Sequence, residues 1–311
     1  MTLPRPLRSW LGLGLLLSCA AAAGEMQPQP VAPGVYVVPG ALGDPAPANG
    51  GRVSNLGIIA GPEGTIVVGT GTSLAEGEAL LAAAERVAGK PVVLAINPYA
   101  APDQVLGNGA FVKRGIPVLA HEETDRFLVA NCGRCIERLR DQLGAEAIAG
   151  TEAVRPTRLV SGSTTLAAGG RSLELVYPGP AHQRGDLIVI DRAGGVAFAG
   201  ALAGCGQVPD LHNGDPDGWL GALDLLAGLD VKTLVPAHGS PGAPGRAEEV
   251  RAYILALREQ VERAYGSGAS MLEVAGKADL PRYRDWALYD PLHRRNIHFL
   301  YLRAELRDME R

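Results

Sequence analysis

Strands come before helices in this chain, and they do so twice. From position 34 the runs "VYVV", "NLGIIAG" and "TIVVG" are short and β-branched, punctuated by Gly, Pro and Asn as paired strands are. The hydrophobic period then lengthens to that of a helix through Leu74, Leu80, Leu81, Ala84 and Val87. "PVVLAIN" reads as a buried strand, Val105 to Arg114 as helical, "IPVLAH" as a strand, and about Thr124 to Leu143 as a helix with Leu128, Cys132, Cys135, Ile136 and Leu139 inward. The second half repeats the order: "SLELVYPG", "LIVID" and "GVAFAG" are strands, "DGWLGALDLLAGL" is helical, "KTLVPAH" is a strand, and Ala247 to Tyr265 is a long helix. Halves that each begin with strands favour two sheets packed face to face with helices outside, a four-layer αββα sandwich of the mixed α/β (α+β) class, over a doubly wound sheet. No fixed short repeat is present, which excludes a solenoid.

The 311 residues would allow two domains, but one folded unit over 34–311 accommodates every element. Hydrophobic residues make up 47% of the chain, enough for a large core. A net charge of −4, without a basic run interleaved with aromatics, excludes a nucleic-acid surface. The stretch from about 266 to 311 reads as a helical appendage of the same domain, docking through Ile297, Leu300, Tyr301 and Leu306.

The first residues differ in kind. Arg5 and Arg8 precede an apolar run from Leu11 to Leu17 and the small residues Ala20 to Ala23, so residues 1–23 read as a secretory signal peptide. The run is too short to span a bilayer, which takes about 20 apolar residues. Cleavage after Ala23 gives a periplasmic or secreted protein; alternatively "LLSC" places Cys19 in a lipoprotein-like processing box and anchors the chain by lipid. Residues 24–33, "GEMQPQPVAP", read as a tether. In an oxidising compartment a Cys132–Cys135 disulfide is open, with two unpaired thiols on one helix face as the alternative. A structural zinc needs four ligands, and no second Cys/His pair is spaced for it.

The order of elements together with "NPYAAPDQVLGN", "GPAHQRGD", "AFAGALAG" and "VPAHG" resembles the metallo-β-lactamase superfamily of zinc hydrolases, over most of residues 34–245. The ending from Trp286 to Leu306, the "NCGRC" helix and the signal peptide resemble an exported branch associated with quinoprotein dehydrogenases and sulfur oxidation. The resemblance implies a sandwich of metallo-β-lactamase type and a centre of two zinc ions, held by His-x-His-x-Asp-His on one turn, a further histidine, a bridging aspartate and a last histidine. In register with Pro102, Asp103, Gly107 and Asn108, the first set falls on Tyr99, Ala101, Asp103 and Gln104. His182 stands at the next histidine, Ala201 at the bridging aspartate and His238 at the last ligand, while Gly69 replaces an aspartate that orders the site. Asp103, His182 and His238 therefore survive, and the ligands at Tyr99, Ala101, Gln104 and Ala201 are substituted.

Two arrangements of the survivors are open. Asp103, His182 and His238 converge on a single zinc or iron ion, with Asp103 the candidate catalytic residue; or Asp103 caps the following helix and each histidine hydrogen-bonds locally. No cofactor is expected at the full dinuclear site. The leading expectation is an exported, non-catalytic binding or accessory protein whose partner is a small molecule or a periplasmic protein, the resemblance implying a quinoprotein dehydrogenase system. A metal-dependent hydrolase with a reduced site and a thiol redox or assembly factor working through Cys132 and Cys135 are the alternatives. His121 and His212 lie off the ligand positions, and His293 and His298 belong to the tail. Ser161 and Ser163 lack a Gly-x-Ser-x-Gly context. Gly69 to Gly71 lacks the Gly-Lys of a nucleotide loop.

Overall fold

A computed structural model describes residues 25–310; the expected signal peptide and Cys19 lie outside them. Seven strands form the first sheet in chain order: β1 (Gln29–Ala32), β2 (Val35–Val38), β3 (Leu56–Ala60), β4 (Thr65–Val68), β5 (Val92–Asn97), β6 (Val118–His121) and β7 (Arg158–Val160). The second sheet holds β8 (Thr164–Ala168), β9 (Arg171–Val176), β10 (Ile188–Asp191), β11 (Val196–Gly204) and β12 (Thr233–His238), again in sequential order. The helices are α1 (Leu74–Ala88), α2 (Pro102–Val105), α3 (Asn108–Val112), α4 (Glu122–Leu143), α5 (Pro216–Ala227), α6 (Ala247–Gly266), α7 (Met271–Lys277) and α8 (Tyr289–Met309). Each half of the chain thus builds one sheet.

Side chains alternate across a strand, and the layers follow from that alternation. In β3, Ile59 joins Val37, Ile66 and Ile96 against Leu175, Val189 and Phe198 of the other sheet, whereas Ile58 points the opposite way, to Leu80, Leu81 and Phe111 of α1 and α3. In β10, Val189 faces the first sheet and Ile190 faces Trp219, Tyr253 and Leu257 of α5 and α6. These clusters are the three interfaces of an αββα sandwich, as expected.

The tail is part of this core. Ile297, Leu300 and Tyr301 of α8 are buried with α6, but Leu306 is 54% exposed and does not dock. The Tyr253 hydroxyl lies 3.0 Å from Nδ1 of His293, whose Nε2 donates to the Ala278 carbonyl at 2.9 Å. His293 is therefore a packing histidine. The expected tether also differs: Gln29–Ala32 pairs antiparallel with β2 as an edge strand, and Met26 is buried. Pro30 reads as linker in sequence, but an edge strand tolerates a missing N–H. The stretch expected to be helical from Val105 to Arg114 is two short helices broken at Leu106 and Gly107. There a Cβ on Gly107 would overlap the Thr70 carbonyl, so the backbones touch directly. Among the described residues, no helix is long and apolar enough to cross a membrane.

Candidate functional site

The loops after β4 and β5, the turn before β10 and the ends of β11 and β12 meet along one edge of the sandwich. Backbone bonds join the two sheets there: the Leu187 amide donates to Pro98 O at 2.7 Å and the Asn55 amide to Ala237 O at 2.7 Å. The β5 loop is fixed from below by Asn97, fully buried, whose Nδ2 donates to the Gln104 carbonyl at 2.8 Å and to Asn108 Oδ1 at 3.0 Å. Asn108 Oδ1 also accepts from the Thr70 hydroxyl at 2.9 Å, and its Nδ2 donates to Val154 O at 2.9 Å. Asn108 shapes the loop, as its position in the sequence suggested.

On that loop the side chains at the substituted positions have partners within the protein. Tyr99 is buried, its ring packs against Gly200 of β11, and its hydroxyl donates to Asp103 Oδ2 at 3.3 Å. Burial, with the Asp103 carboxylate beside it, pushes the Tyr99 phenol well above its usual pKa, so it stays a neutral donor. Asp103 lies in the first turn of α2, whose N-cap is Ala101; the tyrosine engages its carboxylate, and no side-chain hydrogen bond caps that helix. Gln104 donates from Nε2 to the Ser54 hydroxyl at 2.6 Å. Its Oε1 fills the space that a side chain on Gly69 would need, and Gly69 has φ +78°.

His182 and His238 are held differently. Nδ1 of His182 lies 3.3 Å from Asp186 Oδ1, while Asp186 Oδ2 accepts the Gln183 amide at 2.6 Å. The His182 ring sits edge-on to both Tyr99 and Trp219, with centroids 5.2 Å apart in each case. Nδ1 of His238 donates to the Val53 carbonyl at 2.8 Å. A carbonyl and a carboxylate accept only, so both rings carry a proton on Nδ1, the arrangement in which a histidine binds metal through Nε2. His182, Ala201 and His238 line one cavity of about 70 Å³, together with Gln207 and Asp210.

A metal fits this donor set poorly. Among the described residues, no group of three or more His, Cys, Asp or Glu side chains could hold an ion. The cavity brings His182 and His238 together, but Asp103 is not in its lining and is bonded to Tyr99, and Asp210 is ion-paired with Arg295. Ala201 contributes only a methyl group. Sequence reasoning did not single out Asp186, although it stands within the quoted "GPAHQRGD", nor Ser54 and Val53, which act through a hydroxyl and a carbonyl far away in the chain. His121 caps α4 through Nδ1, accepting from Glu123 at 3.2 Å, and stacks on Tyr177 at 4.1 Å between centroids. The Cys132 and Cys135 thiols are free, on α4 behind the loop.

Comparison with known proteins agrees with this architecture. The family model described as "Metallo-beta-lactamase superfamily" matches residues 49–238. A linear primary-alkylsulfatase from Pseudomonas sp. is 24% identical over a 262-position alignment that covers 72% of this chain and 49% of that protein; the chain spans about half the length of this curated relative. The metallo-beta-lactamase structure from Pontibacter korlensis superposes with a TM-score of 0.61 at 20% identity, covering 74% of this chain and 99% of that one. The metallo-beta-lactamase structure from Hirschia baltica gives 0.57 at 21% identity, covering 74% and 97%.

Proposed function

Because the chain belongs to the metallo-beta-lactamase superfamily, we propose that it is a member whose metal shell is degenerate and which works as an exported, non-catalytic binding or accessory protein. One observation carries this reading: the substituted ligand positions are closed by the protein itself, Tyr99 onto Asp103 and Gln104 onto Ser54, with Ala101 and Ala201 offering no donor. What remains is a small cavity lined by His182, His238, Gln207 and Asp210, suited to a small polar molecule. A periplasmic quinoprotein oxidation system is the proposed setting, supported by the tail, the "NCGRC" helix and the leader of the sequence.

A second reading, a hydrolase with a reduced metal site at Asp103, His182 and His238, is favoured by the tautomer in which both histidines are held and by the relative named as an alkylsulfatase. Turnover separates the two. Lactam, sulfate-ester, thioester and phosphodiester substrates are assayed with and without added zinc or iron. The binding-protein reading expects no metal-dependent rate. A rate that appears with metal and disappears in Asp103→Ala or His238→Ala establishes the hydrolase and removes the first reading.

A further inference from the structure

The Cys132-Gly133-Arg134-Cys135 segment lies in the middle of α4. Cys132 is fully buried in a cluster with Val105, Leu106, Leu128, Leu139 and Ile148; Cys135 sits one turn on, partly exposed at the rim of that cluster. The two side chains are neighbours one helical turn apart, and the Arg134 and Arg138 guanidinium groups act on Cys135. An accessible sulfur in a positive field with a buried sulfur behind it is the arrangement of an attacking and a resolving cysteine.

From this geometry we infer that Cys132 and Cys135 form a redox-active dithiol that exchanges with small-molecule disulfides, Cys135 attacking and Cys132 resolving. The Cys135 thiolate attacks one sulfur of a disulfide RSSR, forming the mixed disulfide Cys135–S–S–R and expelling RS⁻, which takes a proton. Cys132 then attacks the Cys135 sulfur, expels the second RS⁻ and closes the Cys132–Cys135 bridge. Two electrons pass from the protein to RSSR, and the two thiol protons leave with the two RSH products. The neighbouring Cys132 thiol and the arginines bring the Cys135 thiol below its usual range, whereas the Cys135 sulfur beside it and burial push Cys132 up, so the thiolate forms on the partly exposed sulfur first.

Helical neighbours three apart have Cβ atoms about 5–6 Å apart, and a bridge needs roughly 3.5–4.5 Å, so closure tightens one turn of α4. Gly133 lies at that turn with open space around it, and the turn can adjust without striking a neighbour. A bridge closed against helix geometry is readily reduced, as exchange requires. Cys205 serves as the internal control, since it follows β11 with no second cysteine beside it among the described residues, so it can take up glutathione but cannot close a bridge.

The test equilibrates the full protein with graded ratios of reduced to oxidised glutathione, quenches with acid, alkylates, and maps each cysteine by peptide mass. Cys132 and Cys135 are expected to become protected together with no added glutathione mass and to recover together on reduction, whereas any protection of Cys205 carries one glutathione. Cys132→Ala should accumulate one glutathione on Cys135, and Cys135→Ser should leave Cys132 free. Alkylation of Cys135 in the reduced protein should set in at lower pH than that of an ordinary thiol. Wild-type protein, folded by circular dichroism, that keeps both thiols alkylatable at the most oxidising ratio overturns the proposal, as does stable glutathione on Cys135 while Cys132 remains present.

Discussion

Gln104 and Gly69 share one space: Oε1 of Gln104 lies where a Cβ on Gly69 would stand, with Leu56 Cδ2 closing the other side. Glycine at 69 is required twice over, by φ +78° and by this contact. Gly69→Ala is expected to cost about 2–5 kcal/mol, combining left-handed backbone strain with overpacking. Gln104→Ala in the same chain should relieve the packing part only, so the pair should couple by about 1 kcal/mol or more in a double-mutant cycle read by urea unfolding. Strict additivity would mean that the two residues do not compete for the space.

A second outcome concerns pH. Glu76 is buried in the first turn of α1, its Oε2 accepts the Thr72 amide at 2.7 Å, and burial pushes its pKa from 4.5 up to about 7. The folded chain then holds a proton that the unfolded chain releases near pH 4.5. The stability from this group is complete below about pH 4.5 and is lost as pH rises through about 7, a change on the order of 3 kcal/mol. Glu76→Gln should flatten that slope. Denaturant unfolding at pH 5 and pH 8 measures it, and a wild-type slope identical to that of the variant contradicts the assignment.

Much of the fold was legible because its strands alternate cleanly. Ile58 and Ile59 face opposite layers, and the strand-first order of each half matches one sheet per half. β7 and β8 escaped because Arg158, Leu159, Thr164 and Thr165 are exposed there, leaving no apolar stripe to read. β1 escaped because Gln29 and Pro30 look like linker until the edge pairing is seen. At the site, the motifs single out His182, His238 and Ala201, which line one cavity without Asp103. The partners of those side chains did not: Val53 O and the Ser54 hydroxyl become neighbours only after the sheets pack, and no local periodicity encodes such contacts.

Placing donors at the proposed ligand positions tests the register. The variant Tyr99→His, Ala101→His, Gln104→His and Ala201→Asp should acquire zinc, because His182 and His238 already present the ligand tautomer and Asp103 loses its tyrosine partner. Zinc titration followed by circular dichroism reads binding and folding together. A folded variant that takes up no zinc would show that these positions do not converge.

The proposed degeneracy of the centre is tested most directly by the metal content of the unaltered protein. The protein is expressed with zinc and iron supplied, dialysed against metal-free buffer, and subjected to elemental analysis beside His182→Ala and His238→Ala variants. The expected result is metal far below one ion per chain in all three samples. One zinc or iron ion retained per wild-type chain, and lost when His238 is removed, would contradict it.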